Sequence, residues 1–147
     1  MNIDIKYPDY DLLCSEFTIF EKREKVWHWE HVFQQVDIKP PYVKSMICAM
    51  RMSKNLLKSC DNFVKTYGTL FLDEAMFTTL TLKDNLSYKN PYELENILYR
   101  HDWVFSDIKS DRLYHPIKDN EVQHKFRDEL TRENYIYISK DYYIGII

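Results

Sequence analysis

The sequence predicts an α+β fold, mainly helical over its first two thirds, with a long central helix and one or two closing β-hairpins. Three observations predict it. From Pro40 to Tyr67, the residues Val43, Met46, Met50, Leu57, Cys60 and Val64 recur at three- and four-residue steps or their sums. That is the spacing of a buried helical stripe. From Asn134 to Ile147, Tyr and Ile crowd together, which favours strand. Between the predicted elements the connections are short, and neither a repeat nor a low-complexity linker interrupts them. A chain of 147 residues is therefore expected to form a single domain, 1–147.

Each element has its own local reason. Ile3 and Ile5 alternate with polar residues and Pro8 opposes helix, so Met1–Ser15 reads as an extended arm with a short edge strand. Glu16–Val36 reads as a helix capped by Ser15, with Phe17, Phe20, Trp27, Phe33 and Val36 near one face. Pro40 and Pro41 end it and open the central helix, which Gly68 stops. Asp73 and Glu74 suit the start of a short helix, and Thr81–Tyr88 a further helical turn. Asn90–Pro91–Tyr92–Glu93 has the pattern of a capping box, predicting a helix to about His101. Trp103–Ile108 and Leu113–Pro116 flank the polar turn Lys109–Arg112 as a hairpin. Asp119 or Asn120 caps a helix to about Glu133, and Lys140–Asp141 turns a terminal hairpin.

Composition narrows the function classes. A net charge of −3 gives no global attraction to nucleic acid. The charge is uneven, however: Pro41–Tyr67 holds five cations and only Asp61 against them. Lys44, Arg51, Lys54, Lys58 and Lys65 would span about 80° of one helix, a basic ridge beside the apolar stripe. A ridge of that kind suits phosphates or an acidic protein surface. An ordinary solvated helix face is the plainer alternative.

Three cysteines, Cys14, Cys48 and Cys60, make an odd count without CxxC spacing. Twelve residues along one helix would hold Cys48 and Cys60 about 18 Å apart, too far to bridge. Free thiols in a reducing compartment are expected. The N-terminus lacks the blocks of a signal peptide, and no apolar run approaches a membrane span. The expected setting is cytoplasmic, or host-intracellular for a viral chain. Abundant Phe, Tyr, Met, Ile, Asn and Lys beside 2 Gly point to an AT-rich genome, such as that of a virus, phage or mobile element.

The candidate chemistry is sparse. With Gly68 and Gly145 standing alone, there is no phosphate-cradling or dinucleotide loop. His28 and His31 lie three residues apart with Glu24 one turn earlier, but no partner pair completes a metal site; stacked aromatics at a surface explain Trp27–His31 as well. His101–Asp102 and His115 flank the predicted hairpin without a nucleophile. No catalytic residue, metal or cofactor is assigned. Arg23 and His28 share the R-x4-H spacing that resembles the motif of the all-helical HEPN ribonucleases. That resemblance would imply a cation and a general acid/base for RNA cleavage, but the β-prone C-terminus departs from that family's fold. The order helix, turn, capped helix, hairpin over 81–116 resembles a winged helix-turn-helix. It implies that Lys109 and Arg112 sit at a wing tip over phosphates, although the supposed reader helix is nearly neutral.

The expected function is that of a small non-enzymatic binding protein. It would contact DNA, RNA or a protein bound to them through Lys44, Arg51, Lys54, Lys58, Lys65, Lys109 and Arg112. The rival is a protein–protein module, a host-factor inhibitor or assembly component. It would use a tyrosine-rich hairpin (Tyr135, Tyr137, Tyr142, Tyr143), with a second copy of the chain among its partners. A membrane partner is not expected.

Overall fold

The structure is a computed structural model that describes residues 3–22, 29–99 and 101–132. Strand β1 (Leu12–Phe20) is its axis. It pairs antiparallel with β2 (Tyr42–Met52) and parallel with the two-residue β3 (Tyr88–Lys89), giving the order β2-β1-β3. Helices α1 (Ile3–Lys6), α2 (Trp29–Gln35), α3 (Lys54–Tyr67), α4 (Asp73–Lys83) and α5 (Asn120–Arg132) complete the described elements. The fold class is α+β, as expected, with a mixed three-stranded sheet.

The long central helix is not formed. Its first half is strand β2, and helix begins only at Lys54. Two irregularities in the β1/β2 ladder explain the misleading spacing. Leu13 pairs with Arg51 and Ser15 with Met46, so two steps of β1 run against five of β2. Between Ser15 and Thr18 the excess reverses, and Glu16 there adopts a positive φ of 51°. Bulges of this kind reset the in–out alternation of a strand. Val43, Met46 and Met50 thus fall three and four residues apart while lying on a strand. Phe17 and Phe20, read as helical, likewise belong to β1 and pack on the core beside α2. Among the described residues the predicted helix 16–36 therefore survives only as α2, and Ser15 is no helix cap: its hydroxyl donates to the Ile97 carbonyl at 2.5 Å.

Helix α3 has the ends that its sequence requires. Ser53, extended at φ −79°, accepts the Leu56 N–H on its side chain. Gly68, left-handed at φ 72°, donates its N–H to the Val64 carbonyl at 2.8 Å. Helix α4 begins at Asp73, as its acidic first turn predicts, and runs unbroken to Lys83. It covers an outer edge of the sheet at β2. Val43 N–H donates to Thr79 Oγ1 at 3.0 Å, and Thr78 Oγ1 donates to the Val43 carbonyl at 3.0 Å. Fully buried threonine hydroxyls thus replace a missing neighbour strand.

One face of the sheet carries a core of Leu12, Cys14, Trp29, Val32, Leu56, Phe63, Ala75, Met76 and Leu80, drawn from β1, α2, α3 and α4. At about 1.5–3 kcal/mol per fully buried large apolar side chain, this cluster dominates the stabilisation. The other face carries a smaller cluster, Leu13, Met46, Leu94 and Ile97, flanked by Ile3, Tyr7, Tyr10, Ala49 and Leu113.

That second face holds most of the remaining corrections. The expected N-terminal strand is the single turn α1. The expected helix 90–101 is one 3-10 turn, Tyr92–Leu94, because Glu93 turns inward to a cation instead of closing a capping box. In place of the hairpin over 103–116 stand a second 3-10 turn, Phe105–Asp107, and a lone parallel bridge between Ile97 and His115. Helix α5 forms where expected, with Asp119 Oδ1 accepting the N–H groups of Glu121 and Val122. The terminal tyrosine hairpin lies outside the described residues.

Candidate nucleic-acid interface

The split of the central segment divides the basic ridge. Lys44 sits on β2, 3.5 Å from the carboxylate of Glu16. Arg51, also on β2, donates from Nη2 to the carbonyls of Tyr7 (2.6 Å) and Tyr10 (2.8 Å), and its Nε lies 3.3 Å from Asp4. It clamps the segment after α1 to the sheet and does not belong to a free ridge. Lys54, Lys58 and Lys65 remain on α3, all exposed. At 100° per residue they lie within about 40° of one another and span about 16 Å of helix axis. Lys65 is tied to Asp61 at 2.5 Å. Lys54 and Lys58 have no carboxylate partner among the described residues. Beside this ridge, Leu57 is 51% and Val64 37% exposed.

The start of α3 is fixed by an ionic hub. Asp11 Oδ1 accepts from the Ser53 hydroxyl at 2.7 Å and from Asn55 Nδ2 at 3.2 Å, and Oδ2 accepts the Ser87 N–H at 3.0 Å. The Ser53 hydrogen bond, against a smaller opposing effect of burial, holds the Asp11 carboxyl below its ordinary pKa. One carboxylate thus joins the entry to β1, the cap of α3 and the approach to β3.

Lys109 is exposed in the turn after Asp107, its N–H donating to Tyr114 Oη at 2.8 Å. Arg112 does not reach out from a wing. Its guanidinium lies 3.5 Å from the centre of the Tyr92 ring and 3.7 Å from Glu95, and its side chain is 17% exposed.

Arg112 and Tyr92 belong to a row that sequence reasoning missed. Lys6 Nζ lies 5.3 Å from the ring centre of Tyr7 and 6.0 Å from that of Tyr92. Lys89 Nζ lies 5.6 Å from Tyr7 and 5.5 Å from Tyr10. Tyr7 and Tyr10 meet edge to face at 6.5 Å. Rings and cations therefore alternate from Tyr10 through Lys89, Tyr7, Lys6 and Tyr92 to Arg112, an attraction between positive charge and the negative ring face. Buried Glu93 anchors the row, accepting from Lys6 at 2.6 Å and from Tyr7 Oη at 3.2 Å. Burial alone would raise the Glu93 carboxyl, but the Lys6 hydrogen bond, its own backbone N–H, the Lys6 charge and Tyr7 more than offset that and hold it low. A signal did exist in the chain: Lys6-Tyr7-Pro8-Asp9-Tyr10 and Tyr88-Lys89-Asn90-Pro91-Tyr92 are two Tyr/Lys segments punctuated by proline.

The other candidates have simpler placements. Cys14 is buried in the core, its thiol pushed by burial up to about 12. Cys48 is on β2 and Cys60 on α3, so they do not share a helix; all three are free. Arg23, Trp27 and His28 lie outside the described residues, as do Tyr135, Tyr137, Tyr142 and Tyr143. His101 packs on Trp103 at 4.1 Å, while His115 Nδ1 lies 3.1 Å from the Leu98 carbonyl. Among the described residues no group of three or more His, Cys, Asp or Glu could hold a metal ion, and no helix is long and apolar enough to cross a membrane. Comparison with protein-family models, with curated proteins and with solved structures found no match.

Proposed function

We propose that this chain is a non-enzymatic binding protein that contacts nucleic acid through the lysine ridge of α3. The observation that supports this reading is the set Lys54, Lys58 and Lys65 on one exposed side of a rigid, doubly capped helix, with two of the three free of carboxylates among the described residues. Cations held in line at fixed height can follow a phosphate backbone and release its counterions. The AT-rich residue usage suits an origin in a virus, phage or mobile element, where such a protein would act on DNA, RNA or the machinery bound to it. The winged-helix reading of 81–116 has less support, because Arg112 is occupied by Tyr92 and Glu95.

The test is an anisotropy titration of labelled duplex and single strands between about 50 and 200 mM salt. Wild type is expected to bind with steep salt dependence. Lys54→Glu/Lys58→Glu, both at exposed positions, is expected to weaken binding and lower the salt slope by about 2. Wild-type protein that binds no nucleic acid at the lowest salt would sink the proposal. A second reading, a protein partner seated on α3, is favoured by exposed Leu57 and Val64 beside the ridge. It predicts salt-tolerant complex formation that Leu57→Asp abolishes.

A further inference from the structure

We infer that the row of alternating rings and cations is a second contact surface for nucleic acid, and that it takes unpaired bases. The preferred ligand is then a single-stranded polynucleotide. The inference rests on the nucleic-acid reading above and specifies the ligand class.

Charge alone does not explain the row. Lys6 is neutralised by Glu93 at 2.6 Å, and Arg112 faces Glu95 at 3.7 Å. Of the row's three cations, only Lys89 lacks a carboxylate partner among the described residues. A phosphate-only site would not spend two carboxylates on its own cations. What the row offers instead is the ring of Tyr92, exposed at its end, while Tyr7 and Tyr10 are partly buried against the second cluster. Tyr92 carries Arg112 at 3.5 Å and still remains 36% exposed. Unpaired bases stack on aromatic rings and on guanidinium planes, whereas a duplex keeps its base faces inside the helix. Lys89 and the outward edge of Lys6, whose side chain is 55% exposed, can meet the intervening phosphates.

The segment that carries Tyr10 also meets the start of α3. Tyr10 is bonded to Asp11, which accepts from Ser53 and Asn55 at the start of α3, one residue on either side of Lys54. Because α3 covers one face of the sheet and Tyr7 and Tyr10 flank the cluster on the other, the row and the ridge are separate contact surfaces whose supporting segments are linked through Asp11. Rigid placement favours this use. Arg51 ties the Tyr7–Tyr10 segment to the sheet and Glu93 ties Tyr7 to the turn that carries Tyr92, so little side-chain entropy is lost when a base docks.

The experiment compares binding of a mixed-sequence oligonucleotide of about 20 bases, as DNA and as RNA, with binding of the same sequence as duplex. Wild type, Tyr92→Leu, Lys89→Gln and Tyr99→Leu are tested, with folding checked by circular dichroism and melting. Tyr99, 66% exposed and outside the row, is the control. The expected result is tighter binding of single strands by wild type. Tyr92→Leu is expected to weaken single-strand binding about tenfold without changing the salt slope, because the ring carries no charge. Lys89→Gln should lower the slope by about 1, and Tyr99→Leu should do neither. Equal affinity for duplex and single strands, or equal losses in Tyr92→Leu and Tyr99→Leu, would overturn the inference while leaving the ridge proposal standing. Absence of any nucleic-acid binding by wild type would remove both. If DNA alone or RNA alone shows the Tyr92 effect, the inference holds and the sugar is identified.

Discussion

The two faces of the sheet are held by different physics. One face is covered by three helices, and its contacts are almost entirely apolar: Leu12, Trp29, Val32, Leu56 and Ala75 are completely buried there. The other has a small apolar layer, in which Leu13 and Met46 of the sheet meet Leu94 and Ile97 of the irregular chain that roofs them together with the turn α1. Its roof is pinned by polar contacts between distant residues, Lys6 to Glu93 and Arg51 to the carbonyls of Tyr7 and Tyr10. The difference teaches that regular elements are not needed to cover a sheet when charged hydrogen bonds supply the register. It also separates a stabilising face from one that keeps aromatic and cationic groups at the surface.

Truncations in the two cores should differ most. Leu56→Ala, in the helix-covered core, is expected to cost about 3–5 kcal/mol in urea unfolding. Leu94→Ala, in the irregular roof, should cost nearer 2 kcal/mol, because that chain can settle into the space. Equal costs would break the comparison. The covered edge of β2 gives the next largest effect. Thr79→Val keeps the volume but removes the acceptor for the Val43 N–H, and is expected to cost about 1–3 kcal/mol. A neutral outcome in thermal melting would mean that the edge needs no hydroxyl partner.

The smallest effect is electrostatic and belongs to the irregular face. The folded Glu93 carboxyl lies below its ordinary value. Its stabilisation is therefore fully present above the ordinary carboxylate pKa, and is lost as pH falls through the folded value. Glu93→Gln should be less stable than wild type at pH 7, and the gap should close as pH falls below about 4. A gap that persists in acid would show that shape, not charge, holds the roof.

Legibility followed the same division. Elements with local signals were readable: Gly68 as the stop of α3, Asp73 and Glu74 at the head of α4, Asp119 before α5. Each depends on backbone groups within a few residues. Strands β1 and β2 were not readable, because bulges near Glu16 and within β2 put core residues at helix-like spacing. The Asn90–Glu93 signal failed for a related reason. Glu93 has a stronger partner in Lys6, 87 residues away in sequence, than in its own helix N-terminus. Of the seven cations singled out, the sequence could not show that Arg51 and Arg112 are engaged by distant backbone and ring.

By itself the sequence determined an α+β class, the stop of α3 at Gly68 and the starts of α4 and α5. These follow from propensity, capping and periodicity, which act over one or two turns. Tertiary structure alone decided the sheet, the hydroxyl-covered edge, the Asp11 hub and the row from Tyr10 to Arg112. Those depend on which distant groups satisfy a buried carboxylate, an edge N–H or a ring face, and that matching exists only once the chain is folded.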